Sequence, residues 1–167
     1  MSVVISGTDG ITLPDDGSLS TSIGDAISIT SGYVSGIQLG GTGAANKLDD
    51  YEEGTWTPTT AYGSLTASSA TYTRIGRQVT VVVVGLGLTD LTTNAAVEIT
   101  GLPFTSLSSA TGAAMWAQVT VSCDTAYITS GVYFYAGHTS GNFVSLKHIN
   151  LNSGNNVYFT VTYFTPD

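Results

Sequence analysis

From Trp56 onward, apolar residues recur at every second position over short runs that end in Gly, Asn, Ser and Thr, the signature of strands joined by turns. The pattern predicts eight strands, near residues 56–60, 69–75, 77–86, 95–100, 113–122, 126–136, 142–149 and 156–164. Turns are expected at Ile75-Gly76-Arg77, Thr89 to Asn94, Gly101 to Thr105, Ala136 to Asn142 and Asn150 to Asn156. No helical period competes with this series. The expected fold is therefore all-β, an antiparallel β-sandwich, jelly-roll-like, over residues 59–167.

The same alternation assigns faces. In MWAQVTVS, Met115, Ala117, Val119 and Val121 share one face, and Trp116, Gln118 and Thr120 share the other. VYFYAG sets Val132 and Phe134 against Tyr133 and Tyr135. NVYFTVTYF turns Val157, Phe159, Val161 and Tyr163 inward and Tyr158, Thr160, Thr162 and Phe164 the other way. Trp116, Tyr133, Tyr135 and Tyr158 thus come to nominally outward faces. There they line a subunit interface, form a sugar-stacking platform, or are simply part-exposed. In QVTVVVVGLGL the alternation fails, and Val81, Val82, Val83 and Val84 are apolar on both sides. A strand apolar on both faces is usually covered on both, whereas a sandwich of this size covers one. The second cover is either another subunit or a long loop.

Residues 1–47 are different: short apolar pieces (SVVIS, GITLP, DAISIT) separated by glycine, each too poor in large side chains to bury a core. Only Tyr33 and Tyr51 of the sixteen aromatic residues precede Gly54. Such a segment is either a flexible linker or an extended arm ordered by partners, and its β-branched alternation favours the arm. Between arm and strands lies Leu48 to Pro58, LDDYEEGTWTP, expected to be an acidic hinge. Gly54 ends whatever turn or short helix the acids begin, and Trp56 supplies the first large apolar anchor of the strand-rich remainder. Asp49, Asp50, Glu52 and Glu53 lack the spacing of a calcium loop, so they read as a solvated collar.

Charge sharpens the division. Residues 1–54 carry eight acids against Lys47, a net of −7, and the remainder carries −1 of the total −8. With four Lys and Arg in the chain, the clustered cations of a nucleic-acid surface are missing, and no nucleic-acid partner is expected. Cys123 stands alone in a strand-like VTVSCD, which reads as a buried, inert thiol. Neither a basic-then-apolar leader nor an apolar run of membrane-spanning length is present, so membrane insertion is not expected.

Catalytic patterns are equally scarce. Paired carboxylates serve glycoside cleavage, but beyond the hinge the acids are only Asp90, Glu98, Asp124 and Asp167, none with a partner in sequence. His138 and His148 lack zinc spacing, GHTSG lacks the nucleophile-elbow pattern, and GLGLTD lacks the Lys of a phosphate loop. No enzyme, cofactor or metal site is expected. Tyr133, Tyr135, His138, Asn142 and Trp116 are the candidates for receptor or glycan contact. Val81 to Val84 and Tyr158 are the candidates for an oligomer interface.

LDDYEEGTWTP, the strand pair Tyr72 to Val79 (YTRIGRQV) and the turn Gly101 to Phe104 (GLPF) together resemble the carboxyl-terminal modules of bacteriophage virion proteins, particularly tail fibres. The resemblance covers about the last 120 residues. It implies a virion structural protein made in the host cytoplasm and carried on the particle surface. Residues 1–47 would then dock to other virion proteins, and residues 59–167 would meet the host surface, receptor glycans included. It also implies a homotrimer. Alternatives are a capsid decoration or head-fibre protein and, from another class, a small glycan-cleaving tip protein.

Overall fold

The computed structural model describes residues 37–38, 47–48, 50–139 and 142–166, with side chains over 50–136 and 142–166. The arm expected over 1–47 falls outside the described residues except for β1 (Ile37–Gln38), which pairs with β2 (Lys47–Leu48) in a small antiparallel sheet of their own.

The rest is all-β and antiparallel, as the alternation predicts. The strands are β3 (Tyr51–Thr55), β4 (Leu65–Thr66), β5 (Ser69–Ile75), β6 (Gln78–Leu88), β7 (Glu98–Ile99) and β8 (Ala110–Val119). They continue with β9 (Thr125–Ile128), β10 (Val132–Thr139), β11 (Asn142–Ser145) and β12 (Leu151–Phe164), the last preceded by a 3-10 turn at His148–Asn150. One hydrogen-bonded path orders them β11-β10-β9-β8-β12-β6-β5-β3, with β4 added to β6 and β7 to β10. The C-terminal strand β12 is thus inserted between β8 and β6 and ties the two halves together.

The sheet curls strongly over its inner face. Flat, β10 and β12 would lie three inter-strand spacings, about 14 Å, apart. Yet Phe134 of β10 meets Phe159 of β12 with ring centroids 5.4 Å apart, and meets Trp116 of β8 at 4.9 Å. One core results, in which Val79, Val81, Val83, Leu86, Val97, Ile99, Ile128, Val132, Phe134, Val157, Val161 and Tyr163 are buried. Trp56 is buried there too, the anchor its position predicts.

Three departures from the expected pattern have local causes. Tyr51–Thr55 pairs residue for residue with β5, so the acidic stretch is an edge strand of the sheet and neither a turn nor a short helix. The run 126–136 is split by a tight turn in which the Thr129 N–H donates to the Gly131 carbonyl at 2.9 Å. Asn150 to Asn156, expected as a turn, lies in β12 from Leu151 on, where the Asn155 side chain takes over the ladder. Its Oδ1 accepts from the Leu88 N–H, and its Nδ2 donates to the Leu88 carbonyl, each at 2.9 Å.

Candidate binding face

One bulge decides which side chains reach solvent. Gln118 holds φ at +57°, a left-handed angle that interrupts the alternation of β8 where its pairing with β12 shifts register between Leu151 and Asn156. Before it, Trp116 faces inward against Phe134 while Met115 is 65% exposed; after it, Val119 and Val121 again pack on the core. The expected faces of Met115, Trp116 and Ala117 are therefore exchanged, while Gln118 is exposed as expected. Trp116, singled out for outward contact, is a core residue, and Met115 takes its place outside.

The outer face follows from the register. Val82, Thr160, Ala113, Thr125, Tyr135 and Ser145 are successive partners across β6, β12, β8, β9, β10 and β11. Beside them stand Val84, Tyr158 and Met115 on one side of this row, and Thr80, Thr162 and Tyr127 on the other. The Thr80 and Thr162 hydroxyls are 2.9 Å apart. Apart from His138, these six strands contain no Asp, Glu, Lys, Arg or His. The face is accordingly uncharged, made of methyl, hydroxyl and aromatic groups.

Two concavities lie on it. The first, about 320 Å³, is apolar and spans β6, β12 and β8, bordered by Val82, Val84, Ala113, Met115, Tyr158 and Thr160. Of the expected interface residues, Val82, Val84 and Tyr158 are exposed here, whereas Val81 and Val83 point into the core. The two-sided apolar pattern of β6 is real, and its outer side is bare in the single chain.

The second is a groove of about 460 Å³ over β8 to β11, lined by Thr111, Thr125, Tyr127, Tyr135, Asn142 and Phe143. Tyr135 stands at its centre, edge-to-face with Tyr127 at 5.7 Å and with Phe143 at 6.2 Å. The Tyr127 hydroxyl hydrogen-bonds to Ser109 Oγ at 2.9 Å, fixing that ring from behind. Phe143 is 79% exposed, the most open large apolar side chain among the described residues. Tyr135 and Asn142 were legible as candidates; Tyr127 and Phe143 were not, because only the order β9-β10-β11 brings them beside Tyr135. Tyr133 is the cross-strand partner of Tyr127 and of Glu98. Its hydroxyl is pushed up to about 12, by burial first and then by its hydrogen bond to Glu98. His138 lies in β10, but its side chain is outside the described residues.

The remaining polar chemistry serves the fold. His148 is fully buried, its Nδ1 3.2 Å from the Asp90 carbonyl oxygen and 3.5 Å from Asp90 Oδ2, with Tyr62 edge-on to its ring. This joins the loop after β6 to the 3-10 turn before β12. Asp90 is held down at about 2, chiefly by the Thr93 hydroxyl, with the N–H and hydroxyl of Thr92 adding to it against the opposing effect of burial. Cys123 is buried, and burial, with Asp124 beside it, pushes its thiol up to about 11. Among the described residues no three His, Cys, Asp or Glu side chains come together as a metal site.

No protein-family model matches the chain, and no curated protein or solved structure matches it.

Proposed function

We propose that this chain is a phage virion surface protein, a short tail-fibre-type appendage that works by binding and not by catalysis. Its curled sheet is the outward module. Residues 1–47 carry the attachment to the particle, and three copies associate through the apolar patch around Val84, Met115 and Tyr158. The observation that carries this is the uncharged face of β6, β12, β8, β9, β10 and β11, which puts an apolar patch and an aromatic groove side by side. Such a surface suits one permanent contact and one reversible contact better than it suits proton transfer, which needs titratable groups.

The test is antibody labelling of purified virions together with competition by the free protein. Label on the tail, and reduced adsorption of phage to cells pre-incubated with the protein, are expected. Label over the head would instead make it a capsid decoration protein, and virions without label would overturn both assignments.

A further inference from the structure

On the reading that the sheet meets a host surface, we infer that the groove of Tyr127, Tyr135 and Phe143 is a binding site for a neutral saccharide, with a sugar ring stacked on Phe143. The aromatic rings set the first requirement. They come from the adjacent strands β9, β10 and β11 and stand in one line. With Thr111 on β8 the groove crosses about 14 Å of sheet, long enough for a short oligosaccharide. A pyranose offers a face of C–H groups to such rings, and burying them removes from water the apolar area that Phe143 now exposes.

The polar fringe sets the second. Thr111 and Asn142 offer a hydroxyl and an amide that both donate and accept, and Thr125, whose hydroxyl donates to Asp124 Oδ1 at 3.0 Å, offers an acceptor, matching the mixed donor and acceptor rim of a sugar.

Charge sets the third. Among the described residues the lining contains no Lys or Arg to hold an acidic sugar. Among the described residues the lining also contains no carboxylate to hold a quaternary ammonium, the other ligand that aromatic rings select, and the neighbouring Asp124 is hydrogen-bonded to the Thr125 hydroxyl. Tyr127 and Tyr135 already pack edge-to-face and Tyr127 is anchored through Ser109, so little freedom of these two rings is lost on binding.

The experiment titrates the full-length protein, by calorimetry and saturation-transfer NMR, with neutral oligosaccharides of glucose, galactose and mannose, with an oligogalacturonate, and with choline chloride. At least one neutral oligosaccharide is expected to bind. Its affinity should fall tenfold or more in Phe143→Ala and be kept within threefold in Phe143→Tyr. Because Phe143 is exposed at the sheet edge, neither variant should lower thermal stability, which circular dichroism checks.

Binding unchanged in Phe143→Ala, tighter binding of the acidic sugar or of choline, or no binding of any neutral member would overturn the site. Virion labelling reports separately on the appendage role. Labelled virions without sugar binding would sink the groove alone, and sugar binding by a protein absent from virions would sink the appendage role alone.

Discussion

Two glycines show how differently single positions constrain this chain. Gly112 of β8 lies against β12 so closely that an added Cβ would sit 2.0 Å from the Thr160 carbonyl oxygen and 2.9 Å from Val161 Cα. Neither atom can move without breaking the ladder. Gly112→Ala should therefore cost about 3 kcal/mol, the upper end of overpacking penalties, seen as a lower midpoint in urea unfolding. Gly76, in the β5–β6 turn, has φ +58° and nothing within 4 Å of its missing Cβ. Alanine there meets only the left-handed backbone cost of about 1 kcal/mol, so the two substitutions should separate clearly. Asp90 adds a dependence on pH. Its carboxyl is lowered from 3.8 to about 2 in the folded chain. The stability it contributes is therefore complete above the unfolded value and is lost as the pH falls through the folded one. Asp90→Asn should be less stable than the parent at neutral pH, and the gap should close between about pH 4 and pH 2 in urea titrations.

Strands reveal what alternation can and cannot tell. The β5–β6 hairpin was legible at its turn, because Gly76 marks it between two β-branched runs. The inward set Val157, Phe159, Val161 and Tyr163 of β12 was equally plain, and all four are buried. Where sequence failed, a backbone irregularity or a side chain standing in for backbone was responsible. Gln118 carries a left-handed angle that its residue type does not announce, so Trp116 and Met115 exchange sides. Asn155 imitates a strand partner, so a run of polar residues remains a strand. The groove was half-legible for a different reason. Tyr135 and Asn142 stand out in the polar run between strands, whereas Tyr127 comes beside Tyr135 only through the pairing of β9 with β10, and Phe143, next to Asn142 in sequence, only through the pairing of β10 with β11. The apolar patch is a property of strands as well. Replacing Val84 and Met115 together by Lys should change monomer stability by less than about 1 kcal/mol, since both are exposed. It should nevertheless abolish association: light scattering of the parent is expected near three times 17.2 kDa, and of the double variant near the monomer mass.

For the molecule as a whole, the distribution of charge separates two kinds of surface. The edge strand β3 brings Glu52 and Glu53 to one margin of the sheet, where Asp50 pairs with Arg74 at 2.6 Å. At the opposite end of the strand order, β11 closes the other margin without a charge. Edge strands with carboxylates resist pairing with copies of themselves, so the β3 margin is a poor template for edge-to-edge pairing. That face has a further property. Coulombic contacts weaken as dissolved ions shorten their reach, from about 10 Å at 0.1 M to about 3 Å at 1 M. Contacts made by methyl groups, hydroxyls and aromatic rings have no such reach to lose. A partner held by the face from Val82 to Phe143 would not be loosened as the water around it grows saltier.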